Sequence, residues 1–125
     1  MRKESVKTGP APQNLPFSPG IKSGHMIFVS GQGPIGPDGN VVSGDIKAQT
    51  RLTLENFRKV VDAAGSGMEN VVQTTVYILD LSDFSAMNEV YSSFFPEPRP
   101  ARTTVRADLL FGMKVEVQGI AILSR

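Results

Sequence analysis

The sequence predicts an α+β fold, a two-layer sandwich in which two helices cover one face of a mostly antiparallel sheet. In chain order, the apolar pattern indicates two or three strands, a helix, a strand, a second helix and two final strands. The last two strands are close enough in the sequence to form a hairpin. The runs Met26–Val29 and Gly119–Leu123 are apolar at consecutive positions. We therefore expect both faces of the sheet to be buried, one under the helices and the other against further copies of the chain.

The composition is typical of one globular domain over residues 1–125, with 40% hydrophobic and 20% charged residues. The net charge of +1 and the absence of a long basic tract disfavour nucleic acid as a partner. Because the chain has no cysteine and one histidine, His25, disulfides, thiol nucleophiles and multi-histidine metal sites are excluded. No apolar run reaches the roughly 20 residues of a membrane span, and no signal peptide is recognisable, so we expect a cytoplasmic protein.

Two strands are predicted in the first third of the chain. Residues 2–8 are expected to form a short edge strand, and residues 22–30 form a longer apolar one. Between them, residues 9–20 contain four prolines and two glycines, which predicts an ordered loop. Leu15 and Phe17 are too apolar for a free linker, so we expect Phe17 to pack against another surface.

A turn and a helix follow. Pro37-Asp38-Gly39-Asn40 is typical of a turn, after which Val41-Val42 is a candidate short strand. The apolar period then becomes helical from Asp45 to about Ala64. Either Ser43 or Asp45 suits the cap at its start, and Gly65 suits the position after its last turn.

The second half of the chain repeats the alternation of strand and helix. Residues 70–79 are rich in β-branched side chains, which predicts a central strand. A second helix is predicted from about Asp80, and the prolines at 96, 98 and 100 end it. The segment from Pro100 to Leu123 is then predicted to be the closing hairpin.

Arg102 and Glu116 are charged residues inside the two predicted strands of this final segment, where mostly apolar side chains are expected. Each lies in a run of small or apolar residues, Ala-Arg-Thr-Thr-Val and Lys-Val-Glu-Val-Gln. Burying an unpaired charge costs several kcal/mol, roughly. The two residues are therefore either solvent-facing members of alternating strands or the lining of a ligand cleft. The Arg102 guanidinium suits a carboxylate, and the Glu116 carboxylate suits a base or a water holder.

For the other candidate residues, a structural role explains the sequence at least as well as a functional role does. Ser30-Gly31-Gln32-Gly33 offers a hydroxyl and backbone N–H groups at a strand end, but a glycine-rich turn explains it as well. Asn88 and Tyr91 lie on the second helix, where Tyr91 belongs to the apolar stripe. His25 is interpreted as a structural or surface residue.

The chain resembles the RidA (YjgF) family over almost its whole length. The most specific match is Pro100-Ala101-Arg102 with Val115-Glu116-Val117 downstream. The other matching segments are Leu15–Gly20, Phe28–Gln32, Ala48–Arg51, Leu54–Asn56, Ala63–Gly65, Thr74–Tyr77, Asp83-Phe84, Met87–Tyr91 and Phe94-Phe95.

The resemblance implies a chorismate-mutase-like fold and a homotrimer with ligand clefts between subunits. It also implies a cofactor-free deaminase that hydrolyses 2-imino or 2-enamino acids to 2-keto acids and ammonia. In that interpretation Arg102 binds the substrate carboxylate and Glu116 positions or activates water. Main-chain groups near Ser30, Gly31 and Thr104 are then expected to help to orient the substrate, and Asn88 is a candidate for the wall of the site. We also expect Arg102 and Glu116 to lie close together and to offset the cost of each other's burial.

Three positions depart from the resemblance, and they keep other functions open. Phe17 stands where characterised members carry tyrosine, Thr104 where cysteine is frequent, and Gln118 where a second acidic residue is common. Phe17 is also a candidate substrate contact. The alternatives are a relative specialised for aminoacrylate or aminomuconate-type intermediates, an RNA-cleaving or translation-inhibiting protein, and a non-catalytic binder of small carboxylates.

Overall fold

The protein, studied as a computed structural model that describes residues 2–8 and 15–123, contains one six-stranded sheet with two α-helices on one face. The helices are α1 (Ile46–Ala63) and α2 (Phe84–Phe94). The strands are β1 (Lys3–Val6), β2 (Gly20–Ser23), β3 (Met26–Gln32), β4 (Val71–Ile78), β5 (Ala101–Arg106) and β6 (Val115–Ile122). Residues 9–14 of the predicted proline-rich loop lie outside the described residues. Neither helix is long and apolar enough to cross a membrane.

The strands lie in the order β1-β2-β3-β6-β4-β5, and only the β4–β5 pair is parallel. The predicted hairpin of β5 and β6 is therefore wrong, because β4 lies between them. The reason is the connection through α2, which is long enough to return the chain so that β5 runs parallel to β4. Residues 107–114, with a 3₁₀ turn at Leu110–Gly112, then lead β6 to the centre of the sheet.

Both helices begin and end near the predicted positions. The Asp45 carboxylate caps α1 by accepting a hydrogen bond from the Ala48 N–H at 2.9 Å, and Gly65 follows the helix with φ 91°. Asp80 caps a 3₁₀ turn at Leu81–Asp83, so that α2 itself begins only at Phe84. The helical signals of the sequence are local, which is why they predicted these boundaries.

The predicted turn at residues 37–40 is present, but the strand after it is not. The Gly36 N–H donates to the Asn40 carbonyl at 2.9 Å, and Gly39 has φ 85°. Val41 makes only an isolated bridge to Ile35.

The hydrophobic core lies between the helices and the sheet, and the other face of the sheet is uncovered. In β3, Ile27 and Val29 point into the core, whereas Met26 and Phe28 are 41% and 40% exposed on the other face. The expectation that this run is buried on both faces is therefore not met within one chain. We call the uncovered side of β3, β6, β4 and β5 the open face. The most buried core residues are Ile27, Leu54, Phe57, Val60, Val61, Val76, Ile78, Met87, Val115, Val117 and Ala121.

Candidate active site

Arg102 lies on edge strand β5 and points toward α2. Its partner across the parallel ladder is Thr74, which is fully buried under the helices. The guanidinium carbon lies 4.7 Å from the centroid of the Tyr91 ring and 5.7 Å from that of Phe84. Aromatic faces attract a cation but do not neutralise it. No carboxylate of residues 2–8 or 15–123 forms an ion pair with Arg102. Its planar N–H groups therefore remain suited to an external carboxylate.

Asn88 and Thr104 lie on the same side of the sheet as Arg102. Asn88 is four residues after Phe84 and three before Tyr91, so it shares their face of α2. Its Oδ1 is buried without a hydrogen-bond partner in the described part of the chain. Thr104 pairs with buried Val76, which places it on the helix side of β5. These residues, namely Phe84, Asn88, Tyr91, Arg102 and Thr104, are called the arginine half-site.

Glu116 lies on the open face of central strand β6. Its neighbours Val115 and Val117 are fully buried in the core, so the glutamate side chain points the other way. It extends over Gly31, where a Cβ atom would overlap Glu116 Oε2. Burial raises the pKa of the Glu116 carboxyl above its usual value. We call Gly31, Tyr77, Glu116 and Gln118 the glutamate half-site.

Ser30 holds a loop beside this half-site and has no hydrogen-bond donor left for a ligand. Its N–H donates to the Pro19 carbonyl at 3.0 Å, and its Oγ donates to the Ser18 carbonyl at 2.6 Å. These bonds fasten the segment that carries Phe17, whose side chain is 59% exposed. Phe17 is therefore not packed within one chain, and the expectation that it packs on a partner surface stays a prediction.

Arg102 and Glu116 do not meet within one chain, because they lie on opposite faces of the sheet. Burial is the only cause of the shift in the Glu116 pKa, with no contribution from Arg102. The expected mutual compensation of the two charges is therefore wrong for a single protomer. Two surface cavities, of about 480 and 450 Å³, include neither residue. Within the described segments, no three His, Asp or Glu side chains are grouped as a metal site requires.

The comparisons with other proteins agree on one family. The family model described as Endoribonuclease L-PSP matches residues 8–123. The chain belongs to this family. A RutC family protein of Pyrococcus abyssi is 45% identical over 124 residues, which cover 97% of this chain and 98% of that protein. Reactive Intermediate Deaminase A, chloroplastic, of Arabidopsis thaliana is 40% identical over 126 residues, which cover 98% of this chain and 67% of that protein.

Solved structures of the family share the fold. The YjgF gene product of E. coli has a TM-score of 0.86 and 37% identity, with 95% of this chain and 98% of that chain covered. E. coli TdcF with bound serine has a TM-score of 0.88 and 38% identity, with 97% and 99% covered. The resemblance to the RidA (YjgF) family and the α+β fold are thereby confirmed. Since family members include a chloroplastic and a mitochondrial protein, a cytoplasmic location stays a prediction.

Tyr77 and Phe84 were not recognised as site residues from the sequence. Tyr77 is paired with Glu116 across the sheet, and its hydroxyl donates to Gln118 Oε1 at 2.9 Å. Phe84 forms one of the two aromatic contacts of Arg102. A signal for Phe84 was present, because it is the first residue of the apolar stripe of α2. Tyr77 had no comparable signal, since its strand pattern resembles that of an ordinary core strand.

Proposed function

We propose that the protein hydrolyses reactive 2-imino and 2-enamino acids to 2-keto acids and ammonia, at sites formed between copies of the chain. One observation carries the proposal: each face of the sheet bears half of a complementary pair, and neither half has an ionic partner in the described chain. A guanidinium on aromatic rings and a partly buried carboxylate match the two ends of a small imino acid. That substrate has a carboxylate at one end and an electrophilic C=N carbon beside it.

Arg102 binds the substrate carboxylate in this proposal. A guanidinium offers two parallel N–H groups to the two carboxylate oxygens, and the Tyr91 and Phe84 rings hold its plane. Asn88 and Thr104 lie on the same side and line the remaining wall. The serine bound to TdcF, itself a small amino acid, is consistent with such a ligand.

Glu116 holds the water and moves its proton. The water oxygen bonds to the imine carbon while a proton passes to the carboxylate, and that proton is then delivered to nitrogen. This gives a carbinolamine, whose hydroxyl proton then passes to nitrogen by way of the Glu116 carboxylate as the C=O bond forms and the C–N bond breaks. Ammonia leaves, and the 2-keto acid remains. Because an imine is already electrophilic, the step requires positioning and proton transfer. Gly31, which has no side chain, leaves the space that the Glu116 carboxylate occupies.

Assembly of the chain into a homotrimer would bring the half-sites together. Met26, Phe28 and Ile122 form an apolar region on the open face, each about 40% exposed in one chain. A second copy that covers this face buries the apolar region and places its own arginine half-site near Glu116.

A coupled assay tests the role of Arg102. The assay generates 2-iminopropanoate in situ and follows its loss in the presence of wild-type protein, Arg102→Ala and Arg102→Lys. Wild type is expected to accelerate hydrolysis, Arg102→Ala to fall to the uncatalysed rate, and Arg102→Lys to retain a small fraction, because lysine lacks the bidentate geometry. An unchanged circular dichroism spectrum and mass serve as the folding control. Retained turnover by Arg102→Ala would remove the assigned role.

RNA cleavage is the second candidate, because the family description names an endoribonuclease. The net charge of +1 disfavours it. Incubation with RNA at several salt concentrations tests this candidate, since binding to RNA phosphates weakens steeply with salt.

A non-catalytic binder of small carboxylates is a further alternative, and binding of 2-ketobutyrate without imine turnover would indicate it. Comparing the turnover rates of several imines would show whether this protein, with Phe17, is specialised for one of them.

A further inference from the structure

The end of β3 beside Glu116 is held less by strand pairing than the rest of this strand. Its pairing with β2 stops at Val29, and its register with β6 shifts between Val29 and Gln32. The two residues in between, Ser30 and Gly31, lie against a single residue of β6, which makes a β-bulge. Because a bulge interrupts the ladder of hydrogen bonds, other contacts must hold this end of the strand.

Asn56 of α1 holds the chain just after the bulge. Its Nδ2 donates to the Gly33 carbonyl and to the Ile35 carbonyl, each at 2.9 Å. One amide group thus uses both of its N–H donors on main-chain acceptors two residues apart, which fixes this segment relative to α1. The proposed reaction gives Asn56 no role, since α1 covers the face of the sheet opposite to Glu116.

A second contact holds Gly33 from the side of β6. A Cβ atom at Gly33 would overlap Met113 Sδ, and Met113 is buried just before β6 begins. Gly33 therefore lies between this thioether and the Asn56 amide. Only Gln32 separates it from Gly31, and the Gln32 side chain donates back to the main chain of the bulge at 3.0 Å. The position of Gly33 therefore constrains that of Gly31.

We propose that Asn56 is a positioning residue for Glu116, because it holds the chain after the bulge and so keeps Gly31 in place. The Asn56 amide fixes the Gly33 carbonyl. Two residues earlier, the main chain of Gly31 borders Glu116 Oε2. This inference rests on the proposed function, since it makes the water step depend on a side chain from the other side of the sheet.

A double-mutant cycle of Asn56→Ala and Glu116→Gln tests the inference with 2-iminopropanoate generated in situ. We expect Asn56→Ala to lower kcat at least about tenfold and to leave KM within about twofold of wild type, because the carboxylate loses its alignment while Arg102 keeps its contacts. In the Glu116→Gln background, Asn56→Ala is expected to cost little of the residual activity. An unchanged kcat in Asn56→Ala, or multiplicative losses in the double variant, would overturn the inference.

Ser66→Ala is the matched control, because it also removes a side-chain hydrogen bond to a main-chain carbonyl. The Ser66 hydroxyl donates to the Ile122 carbonyl at 2.7 Å, at the end of β6 far from Glu116. We expect Ser66→Ala to keep the wild-type kcat, and an equal loss of kcat in both variants would contradict a role specific to Asn56. If Asn56→Ala does not fold, Asn56→Ser, which keeps one shorter donor, replaces it in the cycle, with a smaller expected loss and the same deciding outcomes.

A measurement without substrate separates this inference from the proposed function. The Glu116 carboxyl carbon is followed by ¹³C NMR as the pH is changed, with Glu116→Gln for assignment. Burial raises the pKa of Glu116, so a carboxylate displaced into water by Asn56→Ala is expected to titrate at lower pH than in wild type, and Ser66→Ala to titrate as wild type does. If wild type hydrolyses no imine, the proposed function fails, and this titration decides whether Asn56 positions the carboxylate. The same Glu116 pKa in Asn56→Ala and wild type would overturn the positioning role.

Discussion

Gly31 is the residue whose size determines where the Glu116 carboxylate can lie. A Cβ at this position would overlap Glu116 Oε2, so Gly31→Ala must displace the carboxylate from the end of β3. We expect Gly31→Ala to lower kcat at least about tenfold while the protein stays folded, because a misplaced base loses its alignment with water.

A double-mutant cycle checks that this effect of Gly31→Ala passes through Glu116. In the Glu116→Gln background, Gly31→Ala is expected to cost little further activity. Multiplicative losses of kcat in the double variant would show instead that Gly31 acts by another route.

The sequence predicted that Arg102 and Glu116 lie within strands, but it did not predict which face of the sheet each side chain occupies. Alternation within β6 places Glu116 opposite to Val115 and Val117, and the same rule separates Arg102 from its neighbours on β5. Residues 107–114 connect the two strands along an irregular course. The number of residues between positions 102 and 116 therefore does not determine whether the two side chains lie on the same face of the sheet. For this reason the sequence did not show that the two residues lie on opposite faces of one chain, and their meeting at a gap between chains stays a prediction.

At the scale of elements, α2 is what positions the arginine half-site. The Tyr91 hydroxyl and Thr74 Oγ1 share a buried hydrogen bond of 2.7 Å, and the same ring lies beneath Arg102. We expect Tyr91→Phe to lower the free energy of unfolding by about 1–2 kcal/mol, because Thr74 loses its partner, while KM stays near the wild-type value. Urea unfolding at fixed protomer concentration and steady-state kinetics measure the two quantities.

Tyr91→Leu is the matched comparison for the Tyr91→Phe variant. It removes both the hydroxyl and the ring, so we expect a raised KM in addition to the loss of stability, since Arg102 loses an aromatic contact. If Tyr91→Phe raised KM as much as Tyr91→Leu does, the ring would not be what orients Arg102.

Helices were better predicted than strand order. The cap at Asp45, the stop at Gly65 and the proline-rich end of α2 are local signals, and each is present in the structure. The neighbours of β6 depend on contacts distant in the sequence, between β3 and β6 and between β4 and β6. No local pattern distinguishes a hairpin of β5 and β6 from insertion of β6 between β3 and β4.

At the scale of the whole molecule, the open face is where we expect copies of the chain to meet. Phe28→Glu places a charge among its apolar residues and is expected to reduce the mass in light scattering toward the 13.5 kDa protomer. Leu81→Glu is the control, because Leu81 is 60% exposed but lies outside the open face, in the 3₁₀ turn before α2. A wild-type protein that is monomeric would contradict the proposed assembly.

The central claim is that each site takes its arginine from one copy and its glutamate from another. Arg102→Ala is expected to be inactive alone, and Glu116→Gln to retain only a small residual activity. When equal amounts are unfolded together and refolded, we expect about one quarter of wild-type activity, because one site in four then receives both intact groups in any closed, randomly mixed assembly. Activity that stays at background, although mass spectrometry shows mixed assemblies, would contradict the claim.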